Sequence, residues 1–382
     1  MKVRKLYYED CHLKTFTACV TGCTQTPKGW EVTLDATAFY PEGGGQACDL
    51  GTLGHAHVLD VREREEQVIH LCDQPLEIGA QVEGKIDWQR RFDLMQQHSG
   101  EHILSGLIHA RYGYHNVGFH MGKTAMEVDF DGPIPADELA QLEHAANMAV
   151  WANLPIRSWY PSEEDLPGVP YRRKKDLPWP VRIVEVPGHD LCACCGVHVA
   201  YTGEIGLIKI ISCVKFHEGV RLEMLCGRKA YEYMCRIQEQ NRLVSQTFSA
   251  KPLETGEAAK KFADQLTGEK YRAAGLEKRV FASIAESYRG RGDVLHFEEG
   301  LSSSAVRDLA DLIATACGGR AAVFSGSDAE GYSLCLVRHG GDVKELGNRL
   351  TKELGGRGGG KPGFFQGSVK AARVQIEKVF AE

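Results

Sequence analysis

Two groups of residues have the types and spacing to hold a metal ion. His98 and His102 stand four apart in HSGEH, inside a run whose apolar residues Leu94, Ile103, Leu104, Leu107 and Ile108 recur at helical spacing. On a helix that separation projects both imidazoles from one face, the arrangement two ligands of one ion require. Farther on, the run HDLCACCGVH crowds His189, Cys192, Cys194, Cys195 and His198 together. Two imidazoles from a helix plus a thiolate and an imidazole from a loop form a set that zinc accepts in tetrahedral geometry, with no redox chemistry. Spacing alone leaves the second pair open: Cys192 and Cys195 make a C-x2-C pair, Cys194 and His198 a C-x3-H pair. Each group also has a plain structural reading, as polar residues on a half-exposed helix and as inert buried cysteine. Thiols clustered beside histidines in a chain without a secretory signal shift the balance to metal over disulfides.

These residues need elements to position them. Up to about Gln89 the chain is β-rich, with WEVTLDATAFYP, HVLDVRE and QVIHLCDQP alternating apolar and polar residues. A helix follows from about Asp87 to Arg111, and a second covers ADELAQLEHAANMAVWAN before the Leu154–Pro155 step. The Pro-rich, charged stretch WYPSEEDLPGVPYRRKKDLPWP reads as a surface connection, after which VRIVEVPG and IGLIKIISCVKFHEGVRLEMLCG return to strand character. Beyond Gly227 two long amphipathic helices flank Lys251–Pro252. A final segment alternates strands with helices and carries GGRGGGKPG, which reads as a flexible loop or as glycine backbone able to approach phosphate. At 382 residues, 43% hydrophobic and 25% charged, the chain is an ordinary globular protein of two or three domains. No run approaches a membrane span, so a cytoplasmic location is expected. The net charge of −6 excludes a general basic coat for nucleic acid but not a local basic patch.

At this point the motifs resemble a family. HSGEHIL is similar to the H-x3-H helix of the alanyl-tRNA synthetase editing domain, and CCGVHVAYTGEIGLIKI to its C-x3-H segment. TAFYPEGGGQACDLGTL resembles the Gly-rich T-x-F-Y stretch of that domain, HEGVRLEMLCG its closing strand, and GGRGGGKPG the glycine motif of the synthetase C-terminal domain. The order is that of the freestanding trans-editing proteins of the long AlaX type, without the aminoacylation domain. The resemblance implies an α+β fold: 1–88 a β-rich, barrel-like subdomain with the Gly-rich motif, 89–228 a zinc-binding editing core, 229–290 a helical hairpin linker, and 291–382 a small α/β domain with the GGRGGG motif.

Carried over residue by residue, the resemblance makes His98, His102, Cys194 and His198 the ligands of one zinc ion per chain. The family has Gly where this chain has Cys195 and Thr where it has Val197. The implied reaction is hydrolysis of the aminoacyl ester of tRNA(Ala) mischarged with serine, and with glycine if small size admits it. Zinc can polarise the carbonyl, activate water or orient the amino acid, and the complete ligand set favours orientation. Thr37 is assigned the recognition of the serine hydroxyl, Gln46 a contact to the ester or terminal ribose, and Glu42 and Asp49 the placing of the loop or a water. Arg172, Arg173, Lys174, Lys175, Arg221, Arg357 and Lys361 are the candidate phosphate contacts, with Arg90 and Arg91 further candidates. The helical segment can bury its apolar stripes in a homodimer or in a fold-back hairpin; the C-terminal domain is the other candidate dimer contact. Two other readings stay open: a zinc-bearing tRNA-binding protein without catalysis, and editing of a different mischarged tRNA.

Overall fold

A computed structural model of the chain describes residues 3–122, 124–173 and 179–381. It is a mixed α+β protein, as expected, and divides into two compact units, Met1–Leu243 and Val244–Glu382. Lys174 and Lys175 lie outside the described residues.

In the first unit the strands Thr15–Thr26, Gly29–Leu34, Gln67–Cys72, Ala56–Arg64, Gly51–Leu53 and Gln81–Ile86 close, in that order, into a barrel. Period-2 alternation fills it: Phe16, Ala18 and Val20 of the first strand point into one buried cluster with Val32, Leu34 and Val82. In Ala56–Arg64 the inward residues are Val58 and Val61, an odd spacing that strict alternation forbids. A register shift between Val58 and Asp60 supplies the extra residue and returns the strand to the correct face.

The first helix, α1 (Trp88–Tyr112), starts where Asp87 caps it, its carboxylate accepting from Arg90 N–H at 3.1 Å. Gly113 ends it in the left-handed conformation, its N–H reaching the His109 carbonyl. Met95, Ile103, Leu104 and Ile108 of α1 share a core with Val128, Phe130, Leu222 and Met224. The last four belong to an antiparallel sheet in the order Ile208–Phe216, Gly219–Cys226, Met126–Phe130, Asn116–Met121. At roughly 1.5–3 kcal/mol per large buried side chain, this packing fixes the rotation of α1 and therefore the direction of its histidines. A second helix, α2 (Leu139–Trp151), covers the same core through Leu142, Ala146 and Val150. The strands Arg157–Trp159, Ile183–Val186 and Asp190–Ala193 form a small antiparallel sheet that ends at the cysteine cluster.

Two ion pairs brace this unit, one between parts and one within a sheet. Arg91 and Asp49 are both fully buried; the guanidinium Nε lies 2.9 Å from each carboxylate oxygen, and Asp49 also accepts from Tyr40 N–H at 2.6 Å. This pair ties the Gly-rich segment of the barrel to α1. Arg221 makes a two-pronged contact with Asp129 at 2.7 and 2.9 Å across neighbouring strands.

Helices α3 (Gly227–Phe248) and α4 (Thr255–Ser287) occupy the segment expected to be helical, and α3 runs across the boundary between the two units. In the second unit Phe281 and Ala285 of α4 and Val306, Leu309 and Ile313 of α5 (Ser303–Cys317) pack on a five-stranded sheet. Its order is Gly292–Phe297, Gly318–Ser327, Gly331–Val337, Phe364–Val369, Arg357–Lys361, with only the first pair parallel. Leu346 and Leu350 of α6 (Lys344–Glu353) and Ile376 of α7 (Arg373–Ala381) share a second cluster with Phe324 and Leu336 of that sheet. The run read as a flexible loop or as glycine backbone able to approach phosphate contains the edge strand Arg357–Lys361, exposed throughout and held by backbone pairing to Phe364–Val369, so it is not a plain loop. Among the described residues no helix is long and apolar enough to cross a membrane.

Candidate metal centre

The two sequence clusters meet. One ligand atom from each of His98, His102, Cys194 and His198 lies within 4.8 Å of all the others. Cys194 Sγ stands 3.4 Å from His98 Nε2 and 3.5 Å from His198 Nε2. A tetrahedral site with zinc-like bonds has sulfur–nitrogen edges of about 3.5 Å, so the donor set fits such an ion in both chemistry and spacing. All three histidines are at least 95% buried.

Each imidazole is held by its other nitrogen. His98 Nδ1 meets Gln46 Oε1 at 2.8 Å, His102 Nδ1 meets Asp190 Oδ2 at 2.9 Å, and His198 Nδ1 meets Ser99 Oγ at 3.2 Å. Such partners fix tautomer and ring orientation and leave each Nε2 lone pair for a metal. Burial opposes the Cys194 thiolate, but the nearby imidazoles of His98, His102 and His198 outweigh it and hold the thiol well below its ordinary range. Burial and the neighbouring His98 and His102 push His198 down to about 3, the neutral form a ligand must have.

The cysteine loop is pinned on several sides. Arg182 Nη1 donates to the carbonyls of Cys194 and Gly196 at 3.1 and 2.9 Å, and Tyr8 donates its hydroxyl to the Cys195 carbonyl at 2.6 Å. Val197 N–H donates to Gln46 Oε1 at 3.2 Å. Gln46 thereby bridges both ligand segments. It is delivered by a two-residue turn, Gly43 and Gln46 exchanging both backbone hydrogen bonds around Gly44 and Gly45 at φ +58° and +83°, a conformation glycine adopts without strain. The Gln46 Nε2 donor is buried and has no partner among the described residues.

A cavity of about 970 Å³ reaches the cluster; His98, His102 and Cys194 line it together with Glu101, Arg172 and Tyr160. Glu101, buried on α1 between the two histidines, accepts from Ser105 Oγ at 2.6 Å.

The remaining candidates separate. Cys192 is buried beside His102 and Asp190, and Cys195 is exposed on the cavity wall; neither joins the four-atom cluster. Thr37 is fully buried but is not among the residues lining that cavity. Its hydroxyl lies 2.9 Å from His70 Nε2 and accepts from Phe39 N–H at 3.1 Å, so it serves as a link inside the barrel. Asp49 is committed to Arg91 and to Tyr40 N–H, within the Gly-rich segment it was expected to place, while Arg91, expected among the phosphate contacts, is fully buried. Glu42 is exposed beside the glycine turn. Arg172, expected at phosphate, puts its guanidinium on Asp190 with only 11% of its side chain exposed. Arg221 is likewise engaged, by Asp129 and Glu127. Arg90 donates to the Cys48 carbonyl. Arg173, Arg357 and Lys361 are exposed. Sequence reasoning missed Ser99, Asp190 and Arg182; the first two sit inside the quoted motifs, where their types were a signal.

Comparison with known proteins finds three family patterns and several relatives that match the chain. The pattern of the family described as tRNA synthetases class II (A) matches residues 5–90, that of the threonyl and alanyl tRNA synthetase second additional domain matches 181–223, and that of the DHHA1 domain matches 283–381. The alanyl-tRNA editing protein Aarsd1 of Danio rerio is 28% identical over 98% of this chain and 96% of its own length. The protein of that name from Mus musculus is 29% identical over 95% and 93%. An alanine–tRNA ligase of Ignicoccus hospitalis is 30% identical over 94% of this chain, which covers 40% of the ligase. From one end to the other, then, the chain is similar to the alanyl-tRNA editing proteins, and to the corresponding part of an alanine–tRNA ligase.

Proposed function

We propose that this protein is a trans-editing hydrolase that deacylates tRNA(Ala) mischarged with serine, and with glycine, at a site built on one zinc ion held by His98, His102, Cys194 and His198. The observation that carries the reading is the cavity ending on a buried His/Cys cluster whose orientation is shared with the glycine-turn residue Gln46. Full-length similarity to proteins named for alanyl-tRNA editing supports the substrate class. Bound zinc supplies Lewis acidity that polarises or orients the aminoacyl group.

The chain's own residues do the rest. Gln46 Oε1 is occupied by His98 and Val197, which leaves its Nε2 a buried donor without a partner among the described residues. Gln46 borders the smaller pocket at the glycine turn and not the large cavity, so the turn has to shift for a substrate to reach it. An unmet buried donor costs about 1–3 kcal/mol, and the ester carbonyl oxygen or the terminal ribose satisfies it. The oxyanion that develops in hydrolysis strengthens that bond, which is the sense in which it favours the transition state. Selection of serine over alanine requires hydrogen bonds to the serine hydroxyl, a device able to discriminate by roughly 10⁴–10⁵. For Thr37 to make that contact, its bonds within the barrel must be given up. Exposed Arg173, Arg357 and Lys361 are the proposed phosphate contacts.

Zinc-loaded protein is incubated with Ser-, Gly- and Ala-tRNA(Ala), and release of the amino acid is followed, with Gln46→Leu alongside. Rapid release of serine but not alanine, slowed in the variant, is the expected result. A second reading, a structural zinc in a tRNA-binding protein, is favoured by the fully protein-ligated set, which resembles closed structural sites. It takes precedence if folded, metal-loaded protein binds tRNA and releases none of the three amino acids.

A further inference from the structure

Arg172 stood in the sequence as the first residue of a basic run, RRKK, suited to a nucleic-acid backbone. Its surroundings give it different work. Its Nε lies 2.6 Å from Asp190 Oδ1 and its Nη2 2.9 Å from Asp190 Oδ2, a two-pronged contact to a carboxylate whose side chain is 1% exposed. The second oxygen of the same carboxylate holds His102 Nδ1 at 2.9 Å. The backbone of Arg172 is fixed as well: its N–H donates to the Leu191 carbonyl at 2.7 Å, and its carbonyl accepts from Ala193 N–H at 2.9 Å. Residue 172 is thus laid alongside the strand Asp190–Ala193, the lead-in to Cys194.

A separate observation concerns α1. Gly106 lies one turn after His102, and a Cβ there would fall 2.2 Å from the His189 carbonyl oxygen and 2.8 Å from Asp190 Cβ. The strand approaches the helix closely at the one place where Asp190 has to reach His102, and the missing side chain at 106 provides the room.

We propose that Arg172 is a positioning residue of the metal centre: through Asp190 it sets the orientation of His102, and it is not a contact to the tRNA backbone. A buried carboxylate with one partner is poorly held, and removing the guanidinium leaves Asp190 both undercompensated and free to rotate off His102. Lysine does not replace it, because an ammonium cannot form the two parallel bonds that fix the carboxylate plane. The inference rests on the metal-site part of the proposed function but not on the identity of the substrate.

The test uses the full chain. Zinc affinity is measured by competition with a chromophoric chelator for the wild type, Arg172→Lys, Arg172→Gln and Asp190→Asn, with circular dichroism to verify folding. Binding of uncharged tRNA is measured in parallel as a function of salt. The expected result is a zinc affinity 10–100-fold weaker in each variant, with the salt slope of tRNA binding unchanged. If Arg172→Gln does not fold, Arg172→Lys decides. Unaltered zinc affinity in Arg172→Lys overturns the inference. So does a salt slope that falls by about one, the signature of a lost phosphate contact. A wild-type chain that binds no zinc refutes the metal-centre reading itself, which is a different failure.

Discussion

Gly196 lies between two ligands, Cys194 and His198, and is the position where one added methyl does most. A Cβ built there stands 2.1 Å from His98 Cε1, 2.3 Å from His98 Nδ1 and 3.0 Å from Gln46 Oε1. Ordinary carbon contacts begin at about 3.5 Å, so Gly196→Ala requires His98 and the loop to part by about 1.4 Å. The loop cannot supply that movement cheaply, since Arg182, Tyr8 and Gln46 hold three of its peptide groups. The ring of His98 has to give instead, which breaks its bond to Gln46 and pulls Nε2 out of the ligand cluster. A displacement of about 1 Å in a reacting constellation costs on the order of 10²-fold in rate, and a disturbed ligand costs about 10–100-fold in metal affinity. The assay is zinc content after dialysis against a weak chelator, followed by initial rates of serine release from Ser-tRNA(Ala) under saturating zinc. Full zinc retention together with wild-type rates in a folded Gly196→Ala protein would refute the geometric argument.

Chelation of the metal is expected to abolish deacylation, and zinc readdition to restore it; activity that survives in verified apoprotein removes zinc from the reaction. Arg91→Ala or Asp49→Ala leaves one member of a fully buried ion pair alone, and each is expected to lose about 3–5 kcal/mol of stability, read as a shift in the urea midpoint. His70 is pushed down to about 4 by burial, against an unfolded value of 6.5. Its folded pKa is the lower one, so the unfolded chain binds the extra proton and stability falls as pH drops from 6.5 towards 4. At 1.36 kcal/mol per unit this amounts to about 3 kcal/mol, and a His70→Gln protein is expected to lose that part of the slope in urea titrations at pH 7, 5.5 and 4.5. Thr37→Val removes the hydroxyl partner of His70 and is expected to lower stability by about 1–3 kcal/mol, measured in the same titrations.

Much of the site was legible because its ligands belong to strongly patterned segments. The i, i+4 pair His98 and His102 sits in a helix whose apolar period is clear, and its cap at Asp87 falls at the expected start. The cysteine run pointed to a metal ligand, but spacing could not choose among three thiols. The choice depends on which sulfur faces α1 once the strand Asp190–Ala193 is packed, a tertiary fact. Arg91 and Arg172 were misread for one reason: charge in a sequence suggests solvent, whereas here each charge is buried against a partner at least eighteen residues away. The edge strand Arg357–Lys361 was missed because three glycines carry no strand preference of their own; backbone pairing to Phe364–Val369 makes it.

The distance along the chain between the ligands also has a consequence in time. His98 and Cys194 are separated by 96 residues. A ribosome adding about 5–20 residues per second therefore releases the histidine pair roughly 5–20 s before Cys194 and His198, which complete the proposed site. During that interval the proposed site consists of two imidazoles without its own thiolate, a weak and unselective grip. Secure loading of the proposed site is thus deferred until the barrel and α1 have been made, while the strands Ile208–Phe216 and Gly219–Cys226 that pack on α1 are still to come, so a metal ion would consolidate this unit and would not nucleate it.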